Sequence, residues 1–340
     1  MAEKQKLWVT ASDVARHAGV SRSAVSRAFT PGASIARETK ERVMKASKAL
    51  GYQVNILARE MIQQRSSLVG IVTAGFDNPF RAKLLAPLTA ALSRRQLSPI
   101  IMNAEDPEQT KRSLEMLLSY RIAGVIMTSA SPPLDLARQY LKCKVPVTMI
   151  NRAPDLDGAD VVVSDNDHGA TLAAQMLYEA RATRLAFIGP AKLSYSGKVR
   201  RDAFVRSVKK LDRNVSVITC ATATDDYISG MNAALDLLAR PQAPDGVFCS
   251  SDLLAMGFID MARTRFKLRV PGDVAVVGFD DIPAAGYDAY RLSTIEQDTD
   301  ALANVAVEML MERIAQSDGP SRIRVVPVAR VVRESCRAAE

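Results

Sequence analysis

Between residues 11 and 29, ASDVARHAGVSRSAVSRAF, apolar positions recur at helical spacing in two short bursts separated by a glycine. Val14, Ala15 and Ala18 make one face of the first burst, which the pattern places over 13–17 with Ser12 as its cap. Val25, Ala28 and Phe29 make one face of the second, capped by Ser21. Gly19 supplies the sharp turn between them, and Val20 packs into it. The second helix turns Arg22, Ser23, Ser26 and Arg27 outward. Two short helices at a steep angle, the second polar and cationic on its outer face, make the pattern of a helix-turn-helix, whose second helix fits a DNA major groove. A plain helical hairpin with a solvated basic face has the same pattern, so the choice rests on the remainder of the chain.

The turn-rich TPGAS (30–34) leads to a third helix, Arg37–Leu50, whose Val43, Ala46, Ala49 and Leu50 close a small core, with Ile35 stapling its start and Gly51 ending it. In 52–67, YQVNILAREMIQQRSS, Asn55 caps a helix over about 56–62. It is shorter than the roughly 12–15 residues that hold together unaided in water, so it is expected to form only against a partner or DNA. From Leu68 the pattern changes. Short Val/Ile-rich runs at 68–74, 99–103, 124–128, 145–150, 161–164, 185–188, 215–220, 246–249 and 274–278 alternate with helical stretches, and 323–332 reads as a last strand interrupted at Pro327. Such alternation means parallel sheets covered by helices on both faces, with ligands expected at the carboxyl ends of the strands. Its length points to two lobes. Pro87, inside the helical stretch 79–96, predicts a kink or early break.

Charge sharpens the picture. The 340 residues carry a formal net charge of +8, and residues 1–66 hold 12 Lys+Arg against 5 Asp+Glu, while the rest are nearly balanced at 33 against 32. Cationic excess gathered on the two-helix segment favours duplex DNA as its partner. No run approaches the length of a membrane span, and MAEKQKLWVT lacks a secretory apolar stretch, so a cytoplasmic protein with no membrane partner is expected. Cys143, Cys220, Cys249 and Cys336 are scattered, and His17 and His168 are the only histidines, so no metal site and no cofactor are expected. GxGxxG, GxxxxGK[ST] and GxSxG are all missing, and no catalytic residues are assigned; the chain does not read as an enzyme.

The order helix-turn-helix, hinge, two-lobed α/β body resembles the lactose/galactose repressor (LacI/GalR) family. The resemblance is carried by DVARHAGVSRSAVSRAF (13–29), LGYQVNILARE (50–60), DNDHGA (165–170), SSDLLAMG (250–257), VPGDVAVVGFDD (270–281) and LSTIEQD (292–298). It implies an α/β protein: an N-terminal all-α headpiece (1–54), a hinge helix and linker (55–67), and a two-lobed periplasmic-binding-protein-like domain with parallel sheets (68–340). Lobe one would span about 68–163 and 297–324, and lobe two about 164–296 and 325–340. It also implies a homodimeric transcriptional regulator, a repressor before an activator or corepressor-dependent regulator. Such a regulator binds a near-palindromic double-stranded operator under control of a small effector held between the lobes. The C-terminus shows no leucine heptads, so a tetramerising tail is not expected, and body contacts between copies are expected from 79–96 and 298–315.

By matched position, Arg22, Ser23 and Arg27 are base-reading residues; arginine's fork suits the N7 and O6 acceptors of guanine. Thr10, Ser21, Ser26, Tyr52 and Asn55 match phosphate contacts, and Met61 matches an apolar wedge at the centre of the site or, alternatively, dimer packing. Ala24 and Ala36 depart from the hydroxyl residues common at those places. The matched effector positions are Phe76, Asp77, Asn78, Phe80, Asn151, Arg152, Arg200, Ser251, Asp252, Asp280 and Gln297. Asp252 is alternatively an N-cap. Arg152 with Arg200 suits a sugar acid or sugar phosphate as well as a neutral sugar. A solute-binding protein would share the two-lobed body, but the basic first segment argues against it.

Overall fold

The computed structural model describes residues 8–30, 32–54, 66–73, 75–104, 106–128, 134–192 and 194–338. Asn55, Met61 and the expected hinge helix lie outside these residues. The described chain falls into two units, divided between Ser66 and Ser67.

The first unit contains α1 (Ala11–Ala18), α2 (Arg22–Ala28) and α3 (Arg37–Leu50). Val14, Ala15, Ala18, Val25, Ala28, Val43 and Ala46 meet in one small core, flanked by Val9, Val20, Phe29, Ile35, Leu50 and Tyr52. Thr10, not Ser12, caps α1: Asp13 three residues on returns a bond to the Thr10 amide at 3.0 Å, completing a reciprocal capping box that Ser12 cannot form. Ser21 accepts the Ala24 amide at 3.1 Å and starts α2. Gly19 takes the left-handed conformation (φ 63°) that ends α1. Arg42 reaches from α3 to donate to the Ala18 and Gly19 carbonyls, which fixes the turn between the two helices. Neither that bond nor the α1 cap is legible in the sequence pattern.

The second unit holds two six-stranded sheets. The first comprises β1 (Leu68–Thr73), β2 (Ser98–Asn103), β3 (Gly124–Thr128), β4 (Val147–Ile150), β5 (Asp160–Ser164) and β11 (Ile323–Val326), ordered β11-β5-β4-β3-β1-β2, all parallel. The second comprises β6 (Leu185–Pro190), β7 (Val217–Thr222), β8 (Gly246–Cys249), β9 (Ala275–Asp280), β10 (Ser293–Gln297) and β12 (Val328–Val331), ordered β12-β10-β9-β8-β6-β7. Only β12 runs antiparallel there, against β10. Helices α4 (Pro79–Arg94), α5 (Pro107–Ser119), α6 (Leu134–Lys142) and α11 (Thr299–Ala315) serve the first sheet. Helices α7 (Asn166–Glu179), α8 (Tyr195–Leu211), α9 (Tyr227–Leu238) and α10 (Asp252–Thr264) serve the second.

The chain passes between lobes three times: after Ser164, after Gln297 and at Pro327. Pro327 therefore does not interrupt one strand; it separates two strands of different sheets. Its missing amide costs no ladder bond at that switch. Strand β10 escaped the sequence pattern because STIEQ mixes polar and apolar positions, although Ser293, Thr294, Ile295 and Gln297 are all buried. Pro87 does not break α4. Leu84, Leu88, Ala91 and Leu92 bury one face of that helix beside α11, and this burial outweighs the lost backbone bond. Among the described residues no helix is long and apolar enough to cross a membrane.

Where β5 and β11 meet, Asp160 is fully buried and accepts from the Arg313 guanidinium at 2.5 Å, from Arg322 at 2.6 Å and from the Arg322 amide at 3.0 Å. Burial pushes its carboxyl up, but the bonds from Arg322 and Arg313 prevail and hold it below the usual aspartate value. Replacing Asp160 with Ala leaves buried Arg313 uncompensated and is expected to cost about 3–5 kcal/mol of stability. Because the folded carboxyl is depressed, its contribution is complete above the unfolded pKa of about 3.9 and is lost as pH falls below it. The gap between parent and variant in urea unfolding should thus be constant near neutrality and narrow in acid; a gap independent of pH would refute the clamp.

Candidate functional site

On the headpiece, Thr10, Ser21, Arg22, Ser23, Ser26 and Arg27 are all exposed, and Tyr52 is half-buried. The three-residue and four-residue spacings of α2 set Arg22, Ser23, Ser26 and Arg27 on the surface while Val25 and Ala28 turn inward. Arg27 makes one long bond to the Ser23 carbonyl at 3.4 Å and otherwise extends into solvent. Tyr52 packs its ring on Phe29 with centroids 5.6 Å apart, which leaves the phenol at the domain edge. Thr10, Arg22, Ser23, Ser26 and Tyr52 share the walls of one groove; Ser21 and Arg27 lie outside it. Ala24 is buried.

In the two-lobed unit, a cleft of about 320 Å³ opens at the carboxyl ends of the strands. Of the residues expected there, Asn78, Phe80, Asn151, Arg200, Asp280 and Gln297 line it. Asn78 caps α4, accepting the Phe80 amide at 3.1 Å, and so aims the first turn of that helix at the cleft. Asn151 follows β4 in the left-handed region (φ 55°), which asparagine adopts readily, and Asp280 ends β9 at φ 121°, a conformation that aspartate retains only where the surroundings enforce it.

The floor of the cleft is one hydrogen-bonded network. Gln297 donates to Asp280 at 2.6 Å, while its carbonyl oxygen accepts from Asn151 at 2.9 Å and from Ser164 at 2.6 Å. Arg200 is buried. Its guanidinium donates to Asn166 at 2.7 Å and to the Ser250 carbonyl at 2.8 Å, lies 3.6 Å from Asp280, and stacks 3.5 Å over the Phe279 ring. Burial lowers the Arg200 pKa and pushes the Asp280 carboxyl well up, with the Arg200 charge only partly offsetting the latter. Asp225, absent from the sequence-derived set, also lines the cleft. Solvent reaches it, yet it is ringed by protein atoms, and that crowding raises its pKa while Ser251 donates to it at 2.6 Å.

Five expected residues are not brought to the cleft. Phe76 and Asp77 are exposed on the turn before α4, ahead of the cap that directs the helix. Arg152 is buried against an adjoining cavity of about 130 Å³ with Leu134, Asp155 and Tyr195, which shares Asn151 with the cleft. Ser251, rather than Asp252, caps α10 by accepting the Leu254 amide at 3.4 Å. Asp252 is fully buried behind the cleft, accepting from the Ile282 amide at 2.8 Å and from Thr294 at 2.5 Å. Gly278 makes room for it: a Cβ there would stand 2.2 Å from the Asp252 carboxylate. Burial pushes the Asp252 carboxyl up to about 6. Sequence reasoning also missed Arg81, Lys192, Ser194, Ser196, Thr224 and Ser250. Ser250 is informative, since its buried hydroxyl has no partner among the described residues.

Comparison with known proteins adds to this geometry. Residues 10–55 match the model of bacterial regulatory proteins, lacI family, and residues 174–336 match a periplasmic binding protein-like domain. The ribose operon repressor of Escherichia coli (strain K12) is 30% identical over 325 residues, covering 94% of this chain and 97% of the relative. The chain belongs to the LacI family. Within that family, a structure of the Lac repressor dimer bound to operator and the anti-inducer ONPF superposes with a TM-score of 0.87 at 22% identity, covering 97% of this chain and all of that one, a likeness of fold. The complex of the transcriptional regulator CelR with cellobiose matches at 27% identity and a TM-score of 0.71, covering 96% of this chain and 99% of that one. These LacI-family relatives are regulators rather than enzymes.

The two serine-helix neighbours should separate on substitution. Ser250→Ala removes an unsatisfied buried hydroxyl and is expected to leave the unfolding temperature unchanged or raised. Asp252→Ala strips the Ile282 amide and Thr294 of their acceptor and is expected to lower stability by about 1–3 kcal/mol. Thermal unfolding of the two variants checks this, and equal losses would contradict the packing described.

Proposed function

We propose that this LacI-family chain is a transcriptional repressor that binds a near-palindromic operator as a dimer and releases or tightens its grip when a small neutral polyhydroxy molecule enters the cleft. The observation that carries the reading is the pairing, in one chain, of an exposed two-arginine recognition helix with a cleft whose polar floor comes from both lobes.

In this reading α2 enters the major groove. Arg22 and Arg27 read base edges, with Ser23 beside them. Thr10, Ser21, Ser26, Tyr52 and Asn55 hold phosphates, and Met61 wedges the centre of the site. The cationic excess of the first segment supplies the sequence-independent attraction. Side-chain exposure of Arg22 and Arg27 supports the assignment, since among the described residues neither is tied down by a carboxylate.

The effector class follows from what the cleft already satisfies. Arg200 donates to Asn166 and the Ser250 carbonyl and lies 3.6 Å from Asp280, and Arg152 lines an adjoining cavity, so the expected Arg152–Arg200 grip on an acid or phosphate group is not assembled, and the cations that line the cleft with Arg200 are Arg81 and Lys192. Asp225 and Asp280 present carboxyl oxygens, which accept from ligand hydroxyls. About 320 Å³ suits a compact ligand with several hydroxyls.

Closure has a mechanical route. Phe80 packs against the cores of both lobes, and Lys83 of α4 donates to the Asp281 carbonyl of lobe two at 2.9 Å. A ligand that favours one lobe arrangement thereby repositions α4 beside β1, the first strand after the linker. It shifts operator affinity only by its differential affinity for the two arrangements, ~1–3 kcal/mol in typical cases.

Two measurements test the reading. Arg27→Ala should weaken operator binding and erase about 1–3 kcal/mol of discrimination at one base pair per half-site; equal weakening on every single-base operator variant would reassign Arg27 to phosphate. Neutral pentoses and hexoses, sugar acids and sugar phosphates should be compared by thermal shift. A neutral sugar at a hundredfold excess over its Kd is expected to add about 2.7 kcal/mol to stability, and a response confined to the phosphates would overturn the effector class.

A further inference from the structure

The single tryptophan of the chain, Trp8, is 76% exposed on the smallest domain. Its neighbours explain why it faces outward. The segment entering α1 is extended at Thr10 (φ −105°, ψ 163°), and side chains alternate along it: Val9 packs against the headpiece core, while Trp8 and Thr10 are exposed. Trp8 and Thr10 line the same groove, of about 880 Å³, as Arg22, Ser23 and Ser26 of the recognition helix and Tyr52 beyond α3. Val25 and Phe29 also line it, and hydroxyls and a guanidinium surround that apolar surface.

Isolated apolar side chains on a surface need no explanation. Trp8 differs because it shares a concave wall with a cationic, hydroxyl-rich helix face. That combination matches one partner chemistry, the sugar-phosphate backbone of a duplex. Deoxyribose offers apolar surface for the indole, and phosphate oxygens accept from its N–H, from the hydroxyls and from Arg22. The charge of the surrounding segment, 12 Lys+Arg against 5 Asp+Glu in residues 1–66, complements it.

We propose that Trp8 is a DNA-backbone contact: its ring packs on a deoxyribose at the edge of the half-site and its indole N–H donates to the adjoining phosphate. This rests on the DNA-binding reading above. The contact is neutral and touches no base edge. It therefore strengthens operator and arbitrary duplex alike, and it releases no counterion.

The test uses the full chain and two probes: a short duplex of arbitrary sequence at low ionic strength, and an operator-bearing fragment recovered from genomic DNA. Because Trp8 is the only tryptophan, indole emission reports on this one position. Saturating duplex should shift the emission and shield it from acrylamide, with the same midpoint as the anisotropy of a labelled duplex. Trp8→Ala should weaken both probes about tenfold, leaving their affinity ratio and the slope of log K against log salt unchanged. Trp8→Phe should recover part of the loss. Loss of a phosphate-bound cation would instead lower that slope by about one. Indole emission and quenching unaltered at saturation overturn the proposal, as does a Trp8→Ala variant of full affinity. Shielding of the indole before DNA is added would mean that another part of the same chain fills the groove, and overturns it too. Failure of the unaltered chain to bind any duplex removes the DNA-binding reading itself and the proposal with it, a result distinct from duplex binding that bypasses Trp8.

Discussion

The amide of Gln297 is the point through which the two lobes hold each other. It sits at the end of β10, where the chain leaves lobe two, and it bonds Asn151 and Ser164 on one side and Asp280 on the other. All four residues are buried, so their polar atoms have no cheap exchange with water. An amide suits the position because it donates and accepts at once, where a carboxylate would only accept. The hinge and the cleft floor are consequently made of the same atoms. Whatever binds above Asp280 and Asn151 bears directly on the bonds that set the angle between lobes.

The two working surfaces rely on different physics. The headpiece keeps its arginines and hydroxyls in solvent, where charge acts over distance and is screened by salt. The cleft holds its polar groups in a crowded floor, where hydrogen-bond geometry decides and salt matters little. Arg200 shows the contrast with Arg27: both are arginines on helices, yet one is enclosed by Asn166, Ser250, Asp280 and Phe279 while the other has a single weak bond.

Local signals made the headpiece legible in the sequence. A glycine between two capped, amphipathic turns specifies its own geometry; the cap of α1 was misplaced, because Thr10 and Asp13 act jointly, and Ala49, expected in the small core, is exposed. The alternation of strands and helices was likewise visible, but β10 was not, since its burial comes from neighbours distant in sequence. The cleft was half legible. Residues at strand ends such as Asn151, Asp280 and Gln297 follow from the rule that ligands sit there. Asp225, Lys192 and Ser250 lie on connections with no periodicity to betray them, and Arg152, one residue past Asn151, lines an adjoining cavity instead of the cleft.

The switch at Pro327 carries a consequence for gene expression. Strands β11 and β12, on either side of that proline, are the outermost members of two different sheets. The backbone beyond them is stitched in as well, with Ser335 bridging the Ser293 amide and the Val276 carbonyl. A premature stop codon shortly after residue 320 therefore strips one border from each lobe in a single event. During translation the headpiece has left the ribosome long before either half of the sensor has its full complement of strands.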